Sequence, residues 1–138
     1  MATQTGLLRI HTDGHGEIVD LTDGVRSVLR TTDVEHGLVS VFVGGSTAAV
    51  TTMEFDPAIV ADLRGVLDRL VPQDAGYEKN RRDYKTNAHA RVLASMLGPS
   101  ITIPVTAGLL ALGTWQQIVL LDFDDRPRER TVSIHVLS

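Results

Sequence analysis

The run Leu38 to Val43, LVSVFV, constrains this chain more than any other segment. It is almost continuously apolar and rich in β-branched residues, which predicts a central strand covered on both faces. Gly44-Gly45-Ser46 interrupts it, and Thr47 to Glu54, TAAVTTME, resumes an extended pattern. Alternation there puts Ala49, Thr51 and Met53 on one face and Ala48, Val50, Thr52 and Glu54 on the other. The two glycines permit a bulge or a close backbone approach to a ligand, and ordinary turn chemistry accounts for them equally well.

Further strands flank this pair. LLRIHT (7–12) and EIVDLT (17–22) surround the turn Asp13-Gly14-His15-Gly16 and read as a hairpin. Ile101 to Val105, Leu109 to Leu112, Ile118 to Phe123 and Val132 to Leu137 follow later in the chain. Three helices are predicted. The first is short, capped by Thr22 or Asp23, with Val25, Val28 and Leu29 on its buried face and Gly24 weakening its first turn. The second starts at Asp56-Pro57, with Asp as N-cap and Pro at the first helical position. It carries Ile59, Val60, Leu63, Val66, Leu67 and Leu70 on one stripe. The third runs from Ala88 to Leu97 and stops at Gly98-Pro99. Gln73 to Thr86, QDAGYEKNRRDYKT, is polar, without apolar periodicity, and reads as a long loop. Strands outnumber helices and connections are short, so neighbouring strands should pair antiparallel. The fold class is α+β: antiparallel sheets with about three helices packed on one face, in a single domain over residues 1–138.

Composition excludes several classes of function. The chain has no cysteine, which removes disulfides, thiolate metal sites and cysteine nucleophiles together. Its net charge is −4, and acids interrupt both basic knots, Arg81-Arg82-Lys85 and Arg126-Arg128-Arg130, so no nucleic-acid footprint is expected. Both knots read as solvated loop or strand faces. No apolar run approaches the roughly 20 residues that span a bilayer, and no secretory leader pattern opens the chain; a cytoplasmic protein with no membrane partner is expected.

Polar residues gather at element ends. Asn87, His89 and Arg91 open the third helix, where first-turn N–H groups attract anions and Arg91 adds a forked donor for phosphate. The bland alternative is a surface helix whose Asn87 bonds backbone amides. Ser46 and Thr47 add hydroxyls to the flexible amides of Gly44-Gly45, although the spacing is not that of a P-loop. Glu54, at a strand end, is the candidate general base or cation ligand. Trp115 and Gln116 pair a flat apolar surface with an amide, a combination suited to a heteroaromatic ring; a core tryptophan is the alternative. His11, His15, His36, His89 and His135 are scattered without H-x-x-x-H or H-x-H spacing, so local spacing supports no metal site.

Three segments, GSTAAVTTME, NAHARVLASMLGPSITIPV and LGTWQQIVLLDFD, closely resemble the YjbQ-like family, and the resemblance covers nearly the whole chain. GPSITIP followed by LGTWQQ at this separation is its most specific signature. The resemblance implies an α+β homotrimer. It also implies a secondary thiamine-phosphate synthase activity, the weak coupling of a hydroxymethylpyrimidine diphosphate to a thiazole phosphate with release of pyrophosphate. Two positions depart from the family pattern. Gly45 stands where many members have a histidine, and Arg91 stands where the helix usually carries HAH or HSH. A metal site built on paired histidines would lose a ligand at Arg91. The expectation is therefore a small phosphorylated metabolite as partner, with Mg²⁺ assisting and no organic cofactor. Glu54 and His89 are the expected catalytic residues, and Ser46, Thr47, Asn87, Arg91, Trp115 and Gln116 the substrate-binding ones. A non-catalytic trimeric binding protein for such a metabolite is the alternative.

Overall fold

Two antiparallel sheets stack face to face, and helices cover the outer side of the smaller one. The computed structural model describes residues 3–82 and 87–138. In chain order the elements are β1 (Thr3–Thr12), β2 (Glu17–Asp20), α1 (Thr22–Arg30), β3 (Gly37–Val43), β4 (Ala48–Met53), α2 (Pro57–Leu70), α3 (Glu78–Arg82), α4 (Ala88–Leu97), β5 (Ser100–Thr106), β6 (Leu109–Leu110), β7 (Gln117–Asp122) and β8 (Arg128–Leu137). One sheet has the order β1-β8-β3-β5-β6 and the other β2-β7-β4, with every pairing antiparallel. The α+β class with antiparallel sheets is as expected. Neighbours in sequence pair only at β5–β6, however; the other ladders join strands far apart in the chain.

The hairpin expected around residues 13–16 does not form. β1 pairs β8 and β2 pairs β7, so the turn carries the chain from one sheet to the other. The Gly44–Thr47 break does the same between β3 and β4, and residues 123–127 do so between β7 and β8. Backbone bonds tie the three crossings together: His15 N–H donates to the Asp124 carbonyl (2.7 Å), Gly16 N–H to that of Asp122 (2.8 Å) and Phe123 N–H to that of Thr47 (2.9 Å).

The doubly covered strand is β7 rather than β3. Ile118 to Asp122 are all 0% exposed, because Ile118 and Leu120 meet the larger sheet while Val119 and Leu121 meet the helices. In β3, Val39, Val41 and Val43 are buried, but Leu38 and Phe42 on the opposite face are 47% and 43% exposed. The physical reason is the layer order: β3 lies in the outer sheet and has only one face to bury.

The core between the sheets takes Val39, Val41, Val43, Val50, Leu120, Val132, Ile134 and Val136, and is closed at one side by Val25 and Leu29 of α1. Leu21, without a capping side chain, occupies the N-cap of α1, so neither Thr22 nor Asp23 caps it. Instead the Asp20 carboxylate accepts from Thr22 N–H (2.9 Å), and buried Thr22 Oγ1 accepts from Ile118 N–H (2.9 Å). Gly24, unfavourable within a helix, has a packing reason: a Cβ there would lie 2.8 Å from Leu8 Cδ1.

A second core, Ile18, Ala49, Val119, Leu121 and Phe123 against Leu67, Val71, Ala90 and Leu93, joins the smaller sheet to α2 and α4. α2 begins as expected, with Asp56 accepting from Ala58 N–H (2.9 Å) and Ile59 N–H (3.3 Å), a cap that contributes about 1 kcal/mol. Its apolar stripe is covered less widely than its spacing suggests. Leu67 is buried and Val60 and Leu63 pack partly, whereas Ile59, Val66 and Leu70 stay exposed. Within the expected loop 73–86, residues 78–82 form α3; residues 83–86, with Lys85, lie outside the described residues. The expected strand at Leu109–Leu112 shortens to the two residues of β6.

Candidate functional site

The three crossings end the sheet ladders at one edge of the molecule and leave polar groups there without strand partners. They are satisfied by side chains. Alternation along β7 puts Asp122 on the same face as Ile118 and Leu120, and alternation along β8 puts Arg130 in line with Val132 and Ile134. The two therefore meet inside the protein, 0% and 4% exposed. Arg130 grips Asp122 with two donors, Nε to Oδ2 (2.7 Å) and Nη2 to Oδ1 (2.8 Å). Nη2 also donates to Thr47 Oγ1 (2.7 Å), and that hydroxyl in turn donates to Asp124 Oδ2 (3.0 Å). Thr12 Oγ1 and Asp124 N–H complete the shell of Asp122. Gly45, at φ +118°, passes close over this guanidinium: a Cβ would lie 3.1 Å from Arg130 Nη1.

This network fixes charge states. Burial alone would raise the Asp122 carboxyl, but hydrogen bonds from Arg130, Thr12 and Asp124 N–H outweigh it and hold it below the usual carboxylate range. For Asp124 burial is again opposed, by Thr47, Asp125 and the Arg128 charge, with the same net lowering. The hydrogen bond to Asp122 raises Arg130 further above its ordinary value. Arg130 is therefore no solvated strand-face residue, contrary to the expectation for the 126–130 knot. The signal available in the sequence was the period-2 register that lines Asp122 and Arg130 up with core positions.

Above the pair opens a polar pocket of about 580 Å³, bounded by Gly45, Ser46, Thr47, Asn87, Arg91 and Asp124 together with Asp125, Arg126 and Arg128. Arg91 Nη1 donates to Ser46 Oγ (2.9 Å), which joins the start of α4 to the β3–β4 crossing. Asn87 adopts a left-handed conformation (φ 59°, ψ 46°) and does not cap α4; the first helical N–H, of Ala88, goes to Asn80 Oδ1 instead (3.2 Å). The Asn87 side chain turns to Asp124, donating through Nδ2 (3.3 Å), and its Oδ1 is buried with no hydrogen-bond partner among the described residues. An amide flip would set two acceptors against each other at Asp124, so the orphan is the acceptor oxygen. A buried unpaired acceptor at a pocket wall is a place for a ligand donor.

The structure brings Ser46, Thr47, Asn87 and Arg91 together and places the other candidates elsewhere. His89 is half-buried on α4 and does not line the pocket. Burial lowers its pKa; the charges of Asp125, Asp68 and Asp124 partly oppose this and His15 adds to it, so the ring is neutral at pH 7. Glu54, Trp115 and Gln116 lie beyond the far end of β4, in a separate groove of about 370 Å³ with Arg26, Phe55 and Asp56. The six residues of β4, roughly 20 Å at the rise of a strand, lie between Ser46 and Glu54. Trp115 is 73% exposed and is not a core residue. Gln116 bridges Gly113 N–H (3.0 Å) and Thr52 Oγ1 (3.0 Å), which fixes the turn before β7. Among the described residues, no three His, Cys, Asp or Glu side chains are grouped to hold a metal ion. Asp124 is engaged by Thr47, Asn87 and Arg128, which leaves exposed Asp125 as the pocket carboxylate that could take a cation.

The family described as UPF0047 protein YjbQ-like matches residues 7–138. A UPF0047 protein of Archaeoglobus fulgidus is 38% identical over 130 residues, covering 94% of this chain and 98% of that protein. One from Mycobacterium tuberculosis is 42% identical over 112 residues, 80% of this chain and 82% of the relative. Among solved structures, a protein from Aeropyrum pernix aligns with a TM-score of 0.90 at 34% identity over 98% of each chain. A YjbQ/UPF0047-family protein from Clostridium acetobutylicum aligns with a TM-score of 0.87 at 31% identity, over 95% of this chain and 98% of that one.

Proposed function

Given that the chain belongs to the YjbQ-like family of UPF0047 proteins, we propose that it binds the phosphate or diphosphate of a small metabolite in the pocket between Ser46, Thr47 and Arg91. The carrying observation is the grouping of Arg91, Arg126 and Arg128 with two hydroxyl side chains around one cavity that also holds Asp124 and Asp125; Asp124 is paired with Arg128, and Asp122 beneath it with Arg130. Arginine forks suit phosphate oxygens, and the three arginines outnumber the two carboxylates of the lining.

The reaction we assign to this pocket is the thiamine-phosphate-synthase-like coupling that the sequence resemblance implies. Departure of a diphosphate needs positioning and charge stabilisation, which three arginines supply, with Asp125 available to share Mg²⁺ with the leaving group. A binding protein without turnover is the second reading, favoured by the distance of Glu54 from the phosphate pocket. The homotrimer is part of the proposal. Its support is the outer face of the larger sheet, where Leu7 and Phe42 flank Ser133 in one row and Leu137, Leu38 and Pro104 form another, with the polar row Thr5, His135, Ser40 and Thr102 between them.

Calorimetric titration with inorganic pyrophosphate, with and without Mg²⁺, tests the binding. Arg91→Gln should weaken it about tenfold or more, the scale of one charged hydrogen bond; affinity within twofold of wild type would sink the assignment. Turnover of the two thiamine precursors separates the readings. Activity abolished by Arg91→Gln supports the transferase, and binding without turnover supports the second reading.

A further inference from the structure

A second cavity adjoins the phosphate pocket and differs from it in chemistry. It is about 530 Å³ and runs between α3 and α4; among the described residues, Tyr77, Ala88, Val92 and Met96 form its apolar wall, and Glu78 and Lys79 of α3 add a charged rim. Arg91 lines both cavities, so the two meet at its side chain near the start of α4. The wall groups are apolar for identifiable reasons. Val92 and Met96 lie one turn apart on the outer face of α4, 39% and 58% exposed. Ser95, beside them, returns its hydroxyl to the Arg91 carbonyl (2.9 Å). The Tyr77 hydroxyl donates to the Pro72 carbonyl, which fixes the ring as a wall rather than a mobile side chain.

We propose that this groove takes the apolar ring of the same ligand whose phosphate sits in the arginine pocket, so that the ligand class is an aryl or heteroaryl phosphate ester lying across Arg91. The inference rests on the phosphate reading above and moves the ring from Trp115, at the far end of β4, to Tyr77, Val92 and Met96. Arg91 is suited to the junction, since a guanidinium pairs with phosphate in its plane and stacks on a ring with its face. The orphaned Asn87 Oδ1 at the same junction accepts from a ligand amino or hydroxyl group.

The test compares inorganic phosphate, methyl phosphate and phenyl phosphate by calorimetry or NMR titration on the full chain. Wild type should bind phenyl phosphate about tenfold tighter than methyl phosphate, as burial of a ring in an apolar groove requires. In Val92→Ser/Met96→Ser, whose altered side chains are exposed and leave the cores intact, that ratio should fall to about one while methyl phosphate affinity stays at the wild-type level. Trp115→Ala should leave the ratio unchanged. If none of the three probes binds, the phosphate reading itself fails. If the phosphates bind but the wild-type ratio is near one, or the ratio survives in the double variant, the groove assignment alone is overturned. A double variant that changes the assembly state by light scattering with the ratio intact would assign the groove to a second copy of the chain and overturn it too.

Discussion

Replacing Arg130 with methionine keeps an unbranched apolar stem and removes the guanidinium with its charge, leaving Asp122 buried with Thr12 and the Asp124 amide as its donors among the described residues. Asp122 and Arg130 are 0% and 4% exposed, and the two bonds between them measure 2.7 and 2.8 Å. Breaking one side of such a pair costs about 3–5 kcal/mol, most of it from the stranded charge. That is a large share of the 5–15 kcal/mol typical of a domain. Asp122→Asn added to Arg130→Met removes the stranded charge and keeps an acceptor for the Asp124 amide, so it should recover about 2 kcal/mol of the loss. Urea unfolding followed by circular dichroism, at one fixed protein concentration, measures all three proteins. The pH dependence gives a second check. In wild type the folded carboxyl sits below its unfolded value of about 3.9, so its contribution is fully present above that pH and is lost as pH falls through the folded value. In Arg130→Met burial is no longer outweighed, and the folded carboxyl rises above the unfolded value. The variant then gains stability as pH falls from that raised value, and its deficit against wild type shrinks between pH 8 and pH 4.5. A deficit under 1 kcal/mol at pH 7.5, or one that does not change with pH, would refute the reasoning.

His89, whose folded pKa is lowered mainly by burial, makes the opposite use of protons. Nothing is gained or lost well above pH 6.5; as pH falls from there through the folded value, the unfolded chain takes up a proton that the native ring resists, and stability falls. His89→Gln should lose less stability than wild type between pH 7.5 and pH 5.5 in thermal melts, and an equal loss would contradict this. Phe42→Asp places a charge on the exposed face of the larger sheet without touching the core. Wild type should scatter light as three chains and the variant as one; a trimer that persists in the variant would rule out this face as the contact.

Local patterns were legible because they rest on local physics. Asp56-Pro57 starts α2 and Gly98 stops α4 where capping chemistry puts them, and period-2 runs locate the long strands. The grouping of Ser46 and Thr47 with Asn87 and Arg91 was also within reach, since a glycine break and a helix start each expose polar backbone. Periodicity, however, says which residues share a face and not what that face meets. LVSVFV and IVLLD look alike as sequence, yet the first is an outer strand with Leu38 and Phe42 in the open, and the second is the middle layer. The same limit separated Glu54 and Trp115 from the arginine-lined pocket: their distance is set by the length of β4, which holds the two cavities apart.

The sequence by itself determined the long strands, the helices α1, α2 and α4, the antiparallel α+β class and the family. Only the tertiary structure decided that turn 13–16 is a crossing rather than a hairpin, that Arg130 is a buried partner of Asp122, and that Asn87 faces a pocket instead of capping its helix. Each depends on which strands pair across more than a hundred residues of chain, as β1 with β8 does. No short window of residues contains that information, because the burial that selects the pairing exists only once both sheets have met.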